Sequence, residues 1–249
     1  MIDTIQIDGI HLLKFTQGKV NAMNLEFCRA LSQGLVELAE DDSCRACVLA
    51  TDSRVFSAGV DLKRCIAEDD EYLKQFLPAL TNVFRVLFEF PKPLVAAISG
   101  HAVAGGCLMS SACDYRLISP RAKVGIPELR VGVPLPSIAI EIIRHIAAPQ
   151  AFQVMVNIGS TYSGELALAN GLADELCEKE VIRDSAVAKA RQLSNIPAEV
   201  FSVTKKQMRQ PGLDRAKKNE SLFEEQVQAI WYSPDQRQVI ANYVGDRLG

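Results

Sequence analysis

Residues 93–114 read PLVAAISGHAVAGGCLMSSACD: an apolar run from Leu94 to Ile98, a Ser99-Gly100 turn, a short loop, then Gly105-Gly106 opening a small-residue helix. A buried strand that turns into a glycine-rich helix start leaves backbone N–H groups bare, and the helix dipole favours negative charge beside them. That is the chemistry of an anion hole. A second segment, Phe56-Ser57-Ala58-Gly59-Val60-Asp61-Leu62, offers another set of main-chain donors. Further on, Ile126-Pro127-Glu128-Leu129-Arg130-Val131-Gly132 sets one carboxylate, Glu128, among apolar neighbours. Such surroundings raise a carboxyl pKa and its strength as a base. Taken singly, a loop glycine serves a turn, small residues at a helix start serve close packing, and a glutamate lies at the surface. The three segments together, in this order, carry the signal.

The elements that must position these segments alternate between strand and helix. Residues 4–7 and 11–15 form two short strands joined by an Asp8-Gly9 hairpin turn. Asn24 caps a helix through about Glu40, and residues 47–51 form a buried strand. Residues 53–63 read as a loop, in which Asp61 caps or braces the chain. Apolar residues then recur at helical spacing from Leu73 to Phe88, with Pro78 expected to kink or break the helix. Strands follow at 94–98, 115–119 and 123–126, a helix at 137–147, and another after Pro149. Ser163 caps a short helix that Gly171 ends, and residues 172–177 form a last strand. From Val181 onward only helical patterns remain, one of them opened by the capping box Ser233-Pro234-Asp235-Gln236. Strands separated by helices imply an α/β fold with parallel pairing. No sequence repeat or linker is visible.

Composition narrows the function classes. The 249 residues are 48% hydrophobic and 23% charged, with 27 Lys and Arg against 30 Asp and Glu. A net charge of −3 with no dense basic run argues against nucleic acid or an anionic membrane as partner. The start of the chain lacks the pattern of a signal peptide, no segment is long enough to span a bilayer, and seven scattered cysteines suit a reducing cytoplasm. Cys44 and Cys47 form an isolated C-x-x-C with no second pair or nearby histidine to complete a metal site, so no metal is expected. His11 and His145 read as structural residues, and His101, placed where it could line a pocket, as a structural or rim residue. Ser110 and Ser111 lack a nucleophile elbow.

With these three segments in this order, the chain resembles the crotonase (enoyl-CoA hydratase/isomerase) superfamily, from Lys19-Val20-Asn21-Ala22-Met23-Asn24 to the 163–172 helix and turn. The resemblance implies a crotonase-like spiral of ββα units over residues 1–190 and a helical trimerisation segment over 191–249. It implies an acyl-CoA substrate, no cofactor beyond the coenzyme A carried by that substrate, and a homotrimer or dimer of trimers. Carried over by position, the N–H groups of Val60 and Gly105 form an oxyanion hole around the thioester carbonyl. Lys19, Val20 and Ala58 contact coenzyme A, and Lys63 lies near its phosphates. Walls of the acyl pocket are expected from residues 67–82 and 131–146.

Hydratases of this superfamily carry two glutamates that share a water. Here the first position is Leu108 and only the second, Glu128, is acidic. A single carboxylate suits the removal of a proton from one carbon of an enolisable acyl chain and its return to another, as in Δ3,Δ2-enoyl-CoA isomerases. The runs Ala104-Gly105-Gly106-Cys107-Leu108 and Cys113-Asp114-Tyr115-Arg116 also resemble those enzymes. Dienoyl-CoA isomerases place a further acid at the position of Pro136, which this chain lacks. The alternatives are hydration or another enolate reaction (hydrolysis, decarboxylation) using a further carboxylate, for which Glu141 qualifies if its helix points it inward. From another class, an inactive acyl-CoA-binding or scaffolding protein also fits Leu108.

Overall fold

The structure, a computed structural model, describes residues 2–248. It opens on a hairpin of β1 (Ile2–Ile7) and β2 (Ile10–Phe15), paired antiparallel. Asp8 and Gly9, at φ of 51° and 81°, supply the two left-handed residues such a tight turn requires. Helix α1 (Leu25–Glu40) follows, its first turn closed by the Phe27 N–H donating to the Asn24 side chain at 2.9 Å.

From β3 (Ala46–Ala50) onward one pattern recurs three times: a strand in a large sheet, a three-residue strand in a small one, then helix. The first unit is β3, β4 (Val55–Ser57), α2 (Leu62–Ala67) and α3 (Asp70–Glu89). The second is β5 (Leu94–Ile98), β6 (His101–Val103) and α4 (Gly105–Ser111). The third is β7 (Tyr115–Ile118), β8 (Lys123–Gly125) and α5 (Glu128–Val131). Helices α6 (Ser137–Ile146) and α7 (Pro149–Ile158), strand β9 (Thr161–Ser163), helix α8 (Gly164–Ala169) and strand β10 (Glu175–Leu176) complete the core. The large sheet runs β1-β2-β3-β5-β7-β10 and the small one β4-β6-β8-β9, parallel except at β1–β2 and β8–β9. This is the spiral of ββα units expected from the resemblance. Its repeat is one of backbone geometry, which the amino acids do not echo.

The central strands of the large sheet, β3 and β5, are buried on both faces, as parallel strands require, while the edge strand β1 is largely exposed. Side chains alternate along β5, so Leu94, Ala96 and Ile98 join the main core with α1 and α3. Val95 and Ala97 face the other way and meet Ile182, Ala186 and Ala190 of α9 (Ile182–Leu193). Several expectations are corrected. The supposed loop 53–63 contains β4 and enters α2, the stretch after Gly100 is β6, and the strand at 172–177 shrinks to two residues. Three-residue strands carry too few alternations to read as a period. Helix α3 runs unbroken through Pro78.

The chain ends in α10 (Ala198–Tyr232) and α11 (Pro234–Leu248). The inward face of α10 is largely ionic. Lys205 and Arg209, both buried, each reach the Asp114 carboxylate at 2.7 Å, and Asp114 also accepts from the Leu94 N–H. Further along the helix, Arg215 pairs with buried Glu141, and Glu220 with Arg85 of α3. Asp114 therefore moors α10 to the core. Burial pushes the Lys205 ammonium down to about 8 despite its partner. Arg209→Met removes charged donors from Asp114 and the Phe88 carbonyl. We expect it to lower unfolding free energy by about 1.5–3 kcal/mol in denaturant titration.

Candidate active site

Three successive turns of the spiral deliver the site. Val60 lies just past β4, Gly105 just past β6 and Glu128 just past β8, the same place in each unit. Because β4, β6 and β8 are neighbours in the small sheet, residues 45 and 23 positions apart in the chain arrive side by side (105 − 60 and 128 − 105).

The first two loops are in direct contact. A Cβ on Gly59, whose φ is +83°, would lie 2.5 Å from the Ala104 Cβ and 2.8 Å from the Gly105 nitrogen, so only glycine fits. A Cβ on Gly106 would lie 2.4 Å from the Ser57 carbonyl oxygen. Ala104 itself takes φ 53°, ψ −131°, a strained conformation for a residue with a side chain. Its N–H donates to the Gly125 carbonyl at 2.8 Å, which holds that strain in place and turns the chain so that Gly105 starts α4. The Val60 segment is fixed from its other side. The Met23 N–H donates to the Gly59 carbonyl and the Asp61 N–H to the Met23 carbonyl, at 2.7 and 2.9 Å. Among the described residues, neither the Val60 nor the Gly105 N–H donates to another part of the chain. Asp61 caps α2, as expected, by accepting from the Arg64 N–H.

Asn21 is a residue the sequence reading passed over. Fully buried at φ 50°, it donates to Thr51 Oγ1 and to the Val55 and Phe56 carbonyls, and accepts from the Gln17 N–H. Ser57 Oγ in turn donates to the Asn21 carbonyl and accepts from the Gly59 N–H. This network ties the segment carrying Lys19 and Val20 to β4. Its only sequence signal was an asparagine in a turn.

Glu128 is buried at the first position of α5, a single helical turn closed by Gly132 at φ +89°. Its Oε2 has no hydrogen-bond partner, and burial pushes its carboxyl up to about 8, opposed only by a backbone hydrogen bond. The apolar surroundings differ in part from expectation. Ile126 is buried, but Leu129 is 46% exposed and points away.

A cavity of about 670 Å³ joins these parts. Lys19, Val20, Ala58, Val60, Lys63, Gly105, Leu108 and Glu128 all line it. Leu77, Leu80 and Phe84 of α3 form one wall, and Val131, Val133 and Leu135 form another; all but Phe84, which lies just past residue 82, fall within the two regions expected to do so. The sequence did not show that the C-terminal helices close the cavity. Glu224, Val227 and Trp231 come from α10 and Tyr243 from α11. A chamber of this size, apolar apart from its mouth and a few placed polar groups, suits one organic ligand.

Other residues fall outside. Glu141 does not line the cavity; Arg215 holds it at 2.7 Å and Arg144 at 3.4 Å, which removes the second carboxylate weighed above. His101 is exposed and accepts the Lys123 N–H. Cys44 and Cys47 lie buried with sulfurs 3.4 Å apart, and the hydrogen bond from Cys47 pulls the Cys44 thiol down to about 6. Among the described residues, no cluster of three His, Cys, Asp or Glu is placed to hold a metal, and no helix is long and apolar enough to cross a membrane.

Comparison with known proteins adds three findings. The family model described as enoyl-CoA hydratase/isomerase matches residues 6–246. Mitochondrial enoyl-CoA delta isomerase 1 of Rattus norvegicus is 30% identical over 213 residues, covering 83% of this chain and 72% of the rat protein; the Homo sapiens counterpart is 29% identical over 210 residues, covering 83% and 70%. Human mitochondrial delta3-delta2-enoyl-CoA isomerase superposes with a TM-score of 0.91 at 25% identity, over 98% of this chain and 97% of that one. An enoyl-CoA hydratase of Mycobacterium ulcerans gives 0.84 at 28%, over 90% and 98%.

Proposed function

Because the chain belongs to the enoyl-CoA hydratase/isomerase family, we propose that it isomerises 3-enoyl-CoA thioesters to 2-enoyl-CoA, with Glu128 as the only base. The observation that carries this reading is the pairing of one buried carboxylate, with a free Oε2, and an apolar Leu108 on the same cavity. A water to be added across a double bond needs two polar anchors there. A proton to be moved needs one.

The thioester carbonyl sits between the Val60 and Gly105 N–H groups, with Lys19, Val20, Ala58 and Lys63 along coenzyme A. Glu128 takes a proton from carbon 2. The electron pair moves into a dienolate whose oxygen the two amides stabilise, each by about 2.7–4 kcal/mol. The same carboxyl returns the proton to carbon 4, so atoms and charge balance and no cofactor enters. Leu108 keeps water from the intermediate. The two curated relatives and the human structure are isomerases by name, which supports the choice within the family.

The proposal extends to assembly and place. Residues 1–190 are taken as the core and 191–249 as the helical segment that forms a homotrimer or dimer of trimers, for which exposed Ile196, Val200 and Val203 offer apolar surface. The seven thiols are all unpaired, and we place the protein in the cytoplasm, whereas the two curated relatives are mitochondrial.

The test is the pH dependence of 3-hexenoyl-CoA isomerisation, followed by absorbance of the conjugated thioester. A base with a carboxyl near 8 must be ionised to act. We expect kcat/KM to rise about tenfold per pH unit below that value and to level above it. A rate that is flat across this range, or one that falls as pH rises, removes Glu128 as the base.

A further inference from the structure

Two polar side chains in the cavity have no part in the proposed reaction. Lys19, Asp61 and Lys63 lie on or beside the loop that carries Val60, and Tyr243 lies on α11, which packs against α2 and donates through Arg237 to the Glu68 carbonyl at the end of that helix. Glu128 is the base. That leaves Thr81 of α3 and Glu224 of α10 on walls otherwise made of Leu77, Leu80, Phe84, Val227 and Trp231.

The two helices run antiparallel across the cavity. Arg85 pairs with Glu220 at 2.6 Å, while Tyr232 lies within electrostatic range of Asp70, Glu71 and Lys74, so numbers rise on one helix as they fall on the other. Thr81 precedes Arg85 by four residues and Glu224 follows Glu220 by four. Both therefore step one turn inward from the ion pair, to the same rung. Thr81 is also one turn from Phe84, whose ring would lie 3.5 Å from a Cβ on Gly105. The rung thus lies one turn, about 5 Å along α3, from the residue whose ring packs against Gly105, on the wall of the same cavity. Glu224 Oε1 accepts from Gln228, and among the described residues no lysine, arginine or histidine pairs with its carboxylate. A half-buried carboxylate beside a hydrocarbon tail loses hydration with no return; beside a hydroxyl it accepts a hydrogen bond.

We propose that Thr81 and Glu224 form a polar rung in the acyl compartment that selects enoyl thioesters whose tail carries a hydroxyl. This rests on the acyl-CoA reading of the cavity. Plain tails are accepted less well, and tails ending in a carboxylate are repelled by Glu224.

The test compares 3-hexenoyl-, 6-hydroxy-3-hexenoyl- and 5-carboxy-3-pentenoyl-CoA in the wild type, Glu224→Leu and Glu224→Gln. Turnover and the Kd of the saturated analogues are both measured. The wild type should prefer the hydroxylated tail by roughly tenfold or more in kcat/KM and in Kd, and should reject the carboxylate tail. Glu224→Leu should reverse the first preference, and Glu224→Gln should relieve the second while keeping the first in part. If the hydroxyl-to-plain ratio changes by less than twofold in Glu224→Leu, the rung does not select and the inference is overturned. If the wild type shows the Kd pattern but no turnover of any tail, the isomerase reading fails and the rung stands.

Discussion

Glu128→Gln is expected to lower kcat for 3-enoyl-CoA isomerisation by about 10²–10⁴-fold, the range general acid–base groups contribute. The amide is close in shape to the carboxyl, so the buried position at the start of α5 stays filled. The loss then reports chemistry, and acyl-CoA affinity measured by calorimetry should stay within a few-fold. Stability gives an independent reading. The unfolded carboxyl ionises near 4.5 and the folded one near 8. Between those values the folded state binds more protons than the unfolded, so wild-type stability falls as pH rises through the window and is lowest above 8. The glutamine variant lacks this loss. It should be the more stable protein above pH 8 in denaturant titration, with the gap closing as pH falls toward 4.5. Full activity in Glu128→Gln removes the base from the account.

Gly59→Ala is expected to be nearly as damaging, though residue 59 supplies no reacting group. The added methyl would meet the Ala104 Cβ at 2.5 Å and the Gly105 nitrogen at 2.8 Å, at a residue whose φ of +83° already disfavours a side chain. Neither neighbour is the flexible end of a side chain, so the two loops must separate. That moves one oxyanion donor away from the other. Misplacing a single donor costs about 10²–10³-fold in kcat, and the strained backbone adds about 1–3 kcal/mol of destabilisation. Gly105→Ala makes a useful contrast. Its Cβ meets the Met23 Sδ at 2.7 Å, an atom of a long unbranched side chain that can change rotamer, and backbone only at 3.4 Å. The milder loss expected there, set beside a severe one at Gly59, ties activity to the spacing of the loops. Equal activity in wild type and Gly59→Ala contradicts it.

These two residues also show how much the sequence disclosed. Glu128, Gly105 and Val60 stood out because glycine and proline punctuate a chain strongly and a carboxylate among apolar residues is chemically conspicuous. The strands that bring them together did not, since β4, β6 and β8 have three residues each. The spiral repeat is invisible in the amino acids because backbone geometry alone is repeated. Leu129 was expected to shelter Glu128, yet adjacent side chains on a helix diverge by about 100°, and it points to solvent. The largest omission was the closing wall from α10 and α11. Helix α10 buries Lys205 and Arg209 where a periodic apolar stripe would be sought, and its apolar cavity residues, Val227 and Trp231, lie near its far end. A helix held by ion pairs gives little hydrophobic period to read. Glu141 shows the converse. It is a buried carboxylate on a helix beside the site, and only the position of Arg215 reveals that it is structural.

The central claim is that one carboxylate over a main-chain oxyanion hole moves a proton and adds no water. The most direct measurement is mass spectrometry of products after the purified protein is given 3-hexenoyl-CoA and, separately, 2-hexenoyl-CoA. The account calls for interconversion of the two with no change in mass and no accumulation of hydrated thioester from either. A dominant 3-hydroxyacyl-CoA product, heavier by one water, contradicts it and requires that a second carboxylate, for which Glu224 lies on the same cavity, act on water with Glu128.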